Sequence, residues 1–297
     1  MKLNPLDVIF WTFRRNEKDV VNLYNTLSPV MQTATGGDML NFGYWDDNTK
    51  SPIIAQEALC NKVAKLAELD SAENLLDVGS GIGGPAKFWS NTYPHLTITC
   101  INSNFTQLQD ASLHTKSENI NQFNSTSAKF PCKSNSIDRV IALESAQHFK
   151  NIENFISESN RVLKENGIFL IAIPVANKSD DRITKLGILS FTWSSEHYGI
   201  DHIKNKLKEN GLEILNVDFI GDYVYPPLTD FYSENRSEIK MKLDSIYPSY
   251  LEGILYKSLL KMKKVSEDKI IDYVLIKCKK VGTSTNSCLL YTSDAAD

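Results

Sequence analysis

No apolar run in this 297-residue sequence approaches the roughly 20 residues that a membrane-spanning helix needs, which argues against stable insertion in a bilayer. Basic charge is not in excess either. The 32 Lys and Arg stand against 36 Asp and Glu, and a formal net charge of −4 gives no general reason to hold nucleic acid. The one Lys-rich stretch, 257–264, reads as a solvated helix face. Cysteine is sparse: Cys60, Cys100, Cys132, Cys278 and Cys288 are odd in number and none are paired at metal-ligand spacing. That argues against a disulfide framework and favours a reducing, cytoplasmic setting. His197 and His202 do not have the spacing of a helical metal pair, so no metal is expected. The apolar patch Val8–Trp11 is not followed by a small-residue cleavage site, so residues 1–15 read as a helix packing on the domain, with a membrane-skimming helix as the alternative. Internal repeats and low-complexity linkers are missing as well.

With 42% hydrophobic and 23% charged residues, the chain suffices for one large α/β domain with an elaboration. Residues 1–70 read as an N-terminal helical cap, with helical spacing over Glu17–Leu27 and Pro52–Leu69 and a loop over Thr33–Asp47. From residue 71 to 281 short β-like runs alternate with helices. Strands are expected at Asn74–Val78, Leu96–Ile101, Asn121–Ser125, Arg139–Leu143, Ile168–Ile173, Glu213–Ile220 and Asp272–Cys278. Helices are expected at Pro85–Thr92, Thr106–Lys116, Ile152–Glu165 and Asp201–Asn210, and a long helical run at Thr229–Val265. The alternation predicts a doubly wound, mostly parallel sheet covered on both faces, with ligands beyond the carboxyl ends of the strands. Two insertions, at about 175–200 and 222–268, read as a helical lid. Residues 282–297 read as a disordered tail; its last ten, Cys288–Asp297, resemble the conceptual translation of a sequencing-library adapter and are set aside from the fold.

The strongest motif is Leu75-Leu76-Asp77-Val78-Gly79-Ser80-Gly81-Ile82-Gly83-Gly84-Pro85, an apolar strand running into glycines and a helix start. Glycines let a ligand approach the backbone, and a helix start offers free N–H groups. The pattern also fits the G-x-G-x-x-G of dinucleotide sites through Gly79, Gly81 and Gly84. Three features favour another ligand. Asp77 at the strand end would repel a pyrophosphate and suits an ammonium, such as that of the methionine part of S-adenosylmethionine. Asn102, not an acid, ends the second strand, so the carboxylate that would hold an NAD ribose is missing. The turn also follows some seventy residues, whereas dinucleotide domains often begin with it.

On these residues the chain resembles the class I S-adenosylmethionine-dependent methyltransferases of the type 11 group, with the Rossmann-like sheet and antiparallel last strand of that family. The likeness is greatest to the branch of sterol and tocopherol C-methyltransferases, sugar and macrolide O-methyltransferases, and cyclopropane fatty acid synthases. It runs from about Asn41 to Lys280 and rests on four segments: Asn41-Phe42-Gly43-Tyr44-Trp45, the glycine turn, Ile101-Asn102-Ser103-Asn104-Phe105-Thr106-Gln107, and Glu144-Ser145-Ala146-Gln147-His148. The ending Ile271–Leu275 looks like the family's last strand. The resemblance implies that Asp77, Gly79 and Gly81 hold the methionine and adenosine portions, with Ser80 and Gly83 beside them. It implies that Asn102, Ser103 and Gln107 stand at the ribose, that Tyr44 and Trp45 cap the cofactor near its sulfonium, where an aromatic face suits a cation, and that Glu144 belongs to the same set. Thr126, followed by Ser127, departs from the pattern by replacing the acid that reaches adenine in the family.

Methyl transfer needs alignment and exclusion of water more than it needs a reactive side chain. For a hydroxyl acceptor a base helps. His148, after the fourth strand, is the first candidate and His197, in Ser194-Ser195-Glu196-His197-Tyr198, the second. Gln147 stands where cyclopropane synthases of the branch carry a Glu, which argues against cyclopropanation. The aromatics Phe191, Trp193, Tyr198, Tyr223, Tyr225, Phe231, Tyr232, Tyr247, Tyr250 and Tyr256 suggest a small, largely apolar acceptor. O-methylation is expected; C- or N-methylation, a nicotinamide oxidoreductase and a non-catalytic ligand-binding relative are the alternatives. The expected state is a monomer or homodimer.

Overall fold

The computed structural model describes residues 17–114, 117–177, 186, 189 and 195–282. The apolar patch near residue 8, Phe191, Trp193, the adapter-like end and most of the 175–200 insertion lie outside them. Among the described residues, nine helices and seven strands follow in chain order. They begin with helix α1 (Glu17–Thr35) and helix α2 (Pro52–Leu66). Strand β1 (Asn74–Val78), helix α3 (Gly84–Thr92), strand β2 (Thr97–Asn102), helix α4 (Phe105–His114) and strand β3 (Ile120–Asn124) come next. Strand β4 (Ile137–Leu143), helix α5 (Ile152–Val162) and strand β5 (Leu163–Ala176) follow. Helix α6 (Ile200–Glu209), strand β6 (Leu212–Phe219), helices α7 (Tyr225–Glu234), α8 (Arg236–Asp244) and α9 (Tyr250–Glu267), and strand β7 (Ile271–Lys280) complete the chain.

The seven strands form one sheet in the order β3-β2-β1-β4-β5-β7-β6. The first five pair in parallel; β7 runs antiparallel between β5 and β6. This is the doubly wound, mostly parallel sheet with an antiparallel last strand that the sequence predicts. The chain winds outward from β1 in one direction, then restarts at β4 on its other side. The crevice at the carboxyl ends of β1, β2 and β4 is the place where such sheets bind ligands.

Alternating side chains split the core in two. Leu75 and Cys100 point to the layer of α2 and α3, where Leu59, Val63 and Trp89 are fully buried. Leu76 and Val78 point to the layer of α5 and α6, with Phe155, Ile156, Ile203 and Leu207. Emptying a site like Phe155 costs about 3–5 kcal/mol. Helix α2 starts where it should: Ser51 accepts the N–H of Ile54 and Pro52 takes the first turn.

Two helical expectations are corrected. Helix α1 passes Leu27 and contains Pro29, because Val30, 1% exposed, is clamped in a third apolar cluster with Tyr232, Ile239, Leu243 and Leu251. The single run expected over Thr229–Val265 is three helices instead. Asn235 ends one, and the turn before Tyr250 contains Pro248, which cannot continue the backbone ladder.

Candidate active site

A cavity of about 310 Å³ opens at the crevice. Its floor comes from the ends of β1, β2 and β4. At β1 the chain turns through Gly79, whose φ is +77° and whose N–H bonds the carbonyl of Ile101 at 2.7 Å. A Cβ there would collide with the side chain of Ser145, which itself holds the carbonyl of Val78 at 2.5 Å. Only glycine fits both the angle and the space. Asp77, one residue pair earlier, is 2% exposed and its Oδ2 has no hydrogen-bond partner. Burial pushes its pKa up to about 7.

At the end of β2, Asn102 donates to Gly81 O at 3.0 Å and to Gln107 Oε1 at 2.9 Å, and its Oδ1 accepts the N–H of Asn104. Gln107 in turn donates to Ser28 of α1 at 3.0 Å, and Asn104 to Asn25 at 2.8 Å. These amides therefore tie α1 over the strand ends. Thr126 and Ser127, in the loop after β3, line the same cavity.

Beyond β4, Glu144 adopts a left-handed φ of 51° and is half-buried against the cavity. Its Oε1 accepts the Phe42 N–H at 2.9 Å and the Tyr273 hydroxyl at 3.0 Å. Burial pushes its pKa up to about 8, against the lowering effect of those two donors. A short turn, Ala146–His148, then carries His148 to the wall, where Nε2 lies 2.8 Å from the hydroxyl of Tyr24 on α1. Burial, then the nearby Glu144, raises the pKa of that phenol. Gln147 donates to Glu144 O at 2.7 Å, leaving its buried Oε1 without a partner.

The cavity thus gathers Gly79, Ser80, Gly81, Asn102, Ser103, Gln107, Thr126, Ser127, Glu144 and His148 from the residues singled out in the sequence. Asp77, Gly83, Tyr44, Trp45 and His197 are not in its lining. Strand alternation turns Asp77 toward the layer of Leu75, where its charge would lie near Cys60 and Cys100. Gly83 caps α3. Tyr44 and Trp45 do not form the expected cap. Phe42 is pinned to Glu144, and Gly43, at φ +83° against Ala55, turns the chain outward. Tyr44 then stacks on Tyr223, and Trp45 packs on Phe231 while its indole donates to Phe42 O at 3.0 Å. His197 sits at φ 50°, its N–H on Ser195 Oγ; Ser195 and Glu196 reach the wall in its place. The aromatics expected around the acceptor serve packing in several cases: Tyr225 is fully buried and Tyr232 stacks on Tyr256.

Sequence reasoning missed Val20, Val21 and Tyr24 of α1 as wall residues, and Leu40 and Asn41 of the loop. Asn41 opens the Asn-x-Gly-Tyr-Trp segment, so a signal existed there. Nothing local distinguishes Tyr24 from any aromatic on an amphipathic helix.

A family model described as "Methyltransferase domain" matches residues 76–171, from β1 to within β5. The erythromycin 3''-O-methyltransferase of Saccharopolyspora erythraea is 26% identical over 246 residues, 78% of this chain and 80% of that protein. A sterol 24-C-methyltransferase of Gibberella zeae is 31% identical over 184 residues, 56% of this chain and 48% of that one. The fold is similar to that of the [4+2]-cyclase SpnF, with a TM-score of 0.73 at 22% identity over 90% of this chain and 97% of the other.

This chain is a class I S-adenosylmethionine-dependent methyltransferase.

The methyltransferase belongs to the branch that holds macrolide O- and sterol C-methyltransferases, and its cofactor is S-adenosylmethionine. The nicotinamide and non-catalytic alternatives fall with that assignment. The site suits the cofactor on its own terms: a side-chain-free turn, the amides of Asn102 and Gln107, and Glu144 in the wall. Among the described residues, no helix is long and apolar enough to cross a membrane and no cluster of His, Cys, Asp and Glu suits a metal ion.

Proposed function

We propose that this methyltransferase methylates a hydroxyl of a small, largely apolar acceptor, with His148 as general base. The observation that carries the reading is the contact of His148 with Tyr24, 2.8 Å long, in the wall of the cavity that also contains the glycine turn. When bound, the cofactor supplies a methyl carbon activated by a positive sulfur. Gly79, Ser80 and Gly81 cradle its amino-acid part. Asn102, Ser103 and Gln107 hold the ribose, and Thr126 and Ser127 stand at the base.

The acceptor hydroxyl gives its proton to the His148 imidazole as its oxygen attacks. Tyr24 on Nε2 fixes the ring's orientation and tautomer. Val20, Val21 and Phe149 give the outer wall its apolar character. Helix α1, packed through Val30 on α7, α8 and α9, closes the cavity and excludes water. The erythromycin relative supports the hydroxyl reading; the sterol relative keeps C-methylation as the second one.

The test is transfer of isotope-labelled methyl to a panel of hydroxylated macrolides, sugars and sterols, with the position of the label read by mass spectrometry. Label on oxygen is expected. His148→Ala should lower kcat about 10²- to 10⁴-fold and leave S-adenosylhomocysteine affinity nearly unchanged. Label on carbon, or an unaltered kcat in the variant, would remove O-methylation or His148 from the mechanism.

A further inference from the structure

Glu144 is the half-buried acid of the cavity wall for which methyl transfer to a hydroxyl provides no step. It is held by two neutral donors, the Phe42 N–H and the Tyr273 hydroxyl. Among the described residues no ion pair reaches it. The titratable groups it acts on are Tyr24 of α1, Cys60 of α2, Tyr225 of α7 and Tyr273 of β7. None of these is a cation. The other charged side chains in the lining, Lys150 and Glu196, are more open to solvent or come from a separate segment, and His148 carries Tyr24. A carboxyl built into a cavity wall at a left-handed φ, with no cation of the protein to face it, is arranged for a cation that arrives.

The methyl donor brings two positive centres, an ammonium and a sulfonium. Its spent form, S-adenosylhomocysteine, keeps the ammonium and loses the sulfonium. The glycine turn at Gly79–Gly81 receives the amino-acid part that both forms share. We propose that Glu144 answers the one they do not share, and so is the residue by which the enzyme prefers its charged methyl donor over the uncharged product.

The inference rests on the cavity being the cofactor site. It has a proton signature. With no ligand, burial holds the Glu144 carboxyl protonated through neutral pH, its pKa being about 8. A sulfonium entering the cavity favours the carboxylate, and the proton leaves to solvent. Once the methyl group has gone, the sulfur is neutral, the carboxylate loses its counter-charge and takes a proton back. Product affinity falls without any movement of the chain.

Calorimetric titration of the full chain near neutral pH, in buffers of different ionisation enthalpy, reads the proton count directly. S-adenosylmethionine should release up to about one proton more than S-adenosylhomocysteine. Glu144→Gln should abolish that difference, weaken S-adenosylmethionine about tenfold, and change S-adenosylhomocysteine less than about twofold. Gly79→Val should weaken both ligands alike. Equal proton release for the two ligands in the native protein overturns the proposal whatever the variants do, as does a Glu144→Gln protein that weakens both by one factor. Failure of both ligands to bind the native protein overturns the cavity assignment itself.

Discussion

The floor of the cavity and its roof are built by different rules. The floor is short stretches that each follow a strand: 78–82 after β1, 101–107 from β2, 143–145 after β4. Its groups are backbone, amides and the Glu144 carboxyl, and each stretch was conspicuous as a motif. The roof comes from far away. Gln107 reaches Ser28 across 79 positions, and His148 reaches Tyr24 across 124. The floor is specified by what residues are; the roof by what packs where. Substitutions in the floor should therefore act on cofactor binding, and substitutions in the roof on turnover.

The largest effect is expected at Gly79. Gly79→Val places a side chain at positive φ and against Ser145, so calorimetry should show S-adenosylhomocysteine affinity falling more than about 100-fold, with a lower melting temperature. Retained binding would mean that the turn is not part of the cofactor floor. Next comes the roof. Tyr24→Phe keeps the ring on His148 and removes its hydroxyl; kcat should drop about tenfold with the cofactor KM within about twofold. A change in KM with constant kcat would assign Tyr24 to the cofactor and blur the comparison.

A third effect is on stability against pH. Asp77 titrates at its ordinary 3.8 when unfolded and at about 7 when folded; Glu144 moves from 4.5 to about 8. The folded chain holds more protons between those limits, so their contribution favours folding at low pH and is lost as pH rises through about 7 to 8. In the ligand-free protein the melting temperature should fall between about pH 5 and about pH 8 by several degrees. Asp77→Asn should flatten that fall and melt above the native protein at about pH 8. A native protein that melts higher at pH 8 than at pH 5, by scanning calorimetry, would contradict the buried, uncompensated carboxyls.

The smallest effect is the most pointed. Trp45→Phe should change S-adenosylhomocysteine affinity less than about twofold while lowering stability by about 1 kcal/mol, since the indole packs on Phe231 outside the cavity. A large loss of affinity would restore Trp45 as a cap.

Those residues also show what the sequence could tell. The strand Asn74–Val78 is where it was expected, because an apolar run bounded by glycine has one reading at that length. The sheet follows from the alternation of such runs. Tyr44 and Trp45 lie in a recognisable segment, but their direction depends on Gly43 meeting Ala55 and on Phe42 meeting Glu144, two contacts that no local pattern encodes. Helix α1 outruns its periodic stretch because Val30 has a buried seat among residues more than 200 positions away. The three helices in place of one follow from Asn235 and Pro248, breakers that were present and outweighed by the density of apolar residues around them.

Strand β7 has a consequence for how the molecule is made. It sits between β5 and β6, and it carries Tyr273, whose hydroxyl completes the setting of Glu144. During synthesis β6 leaves the ribosome before the neighbour it must pair with. A nascent chain stopped short of residue 271 already has its glycine turn, yet has an orphan edge strand and an acid lacking its phenol. Catalytic competence thus waits on the emergence of β7, and until then the emerging polypeptide exposes a pairing edge that other nascent chains or chaperones can meet.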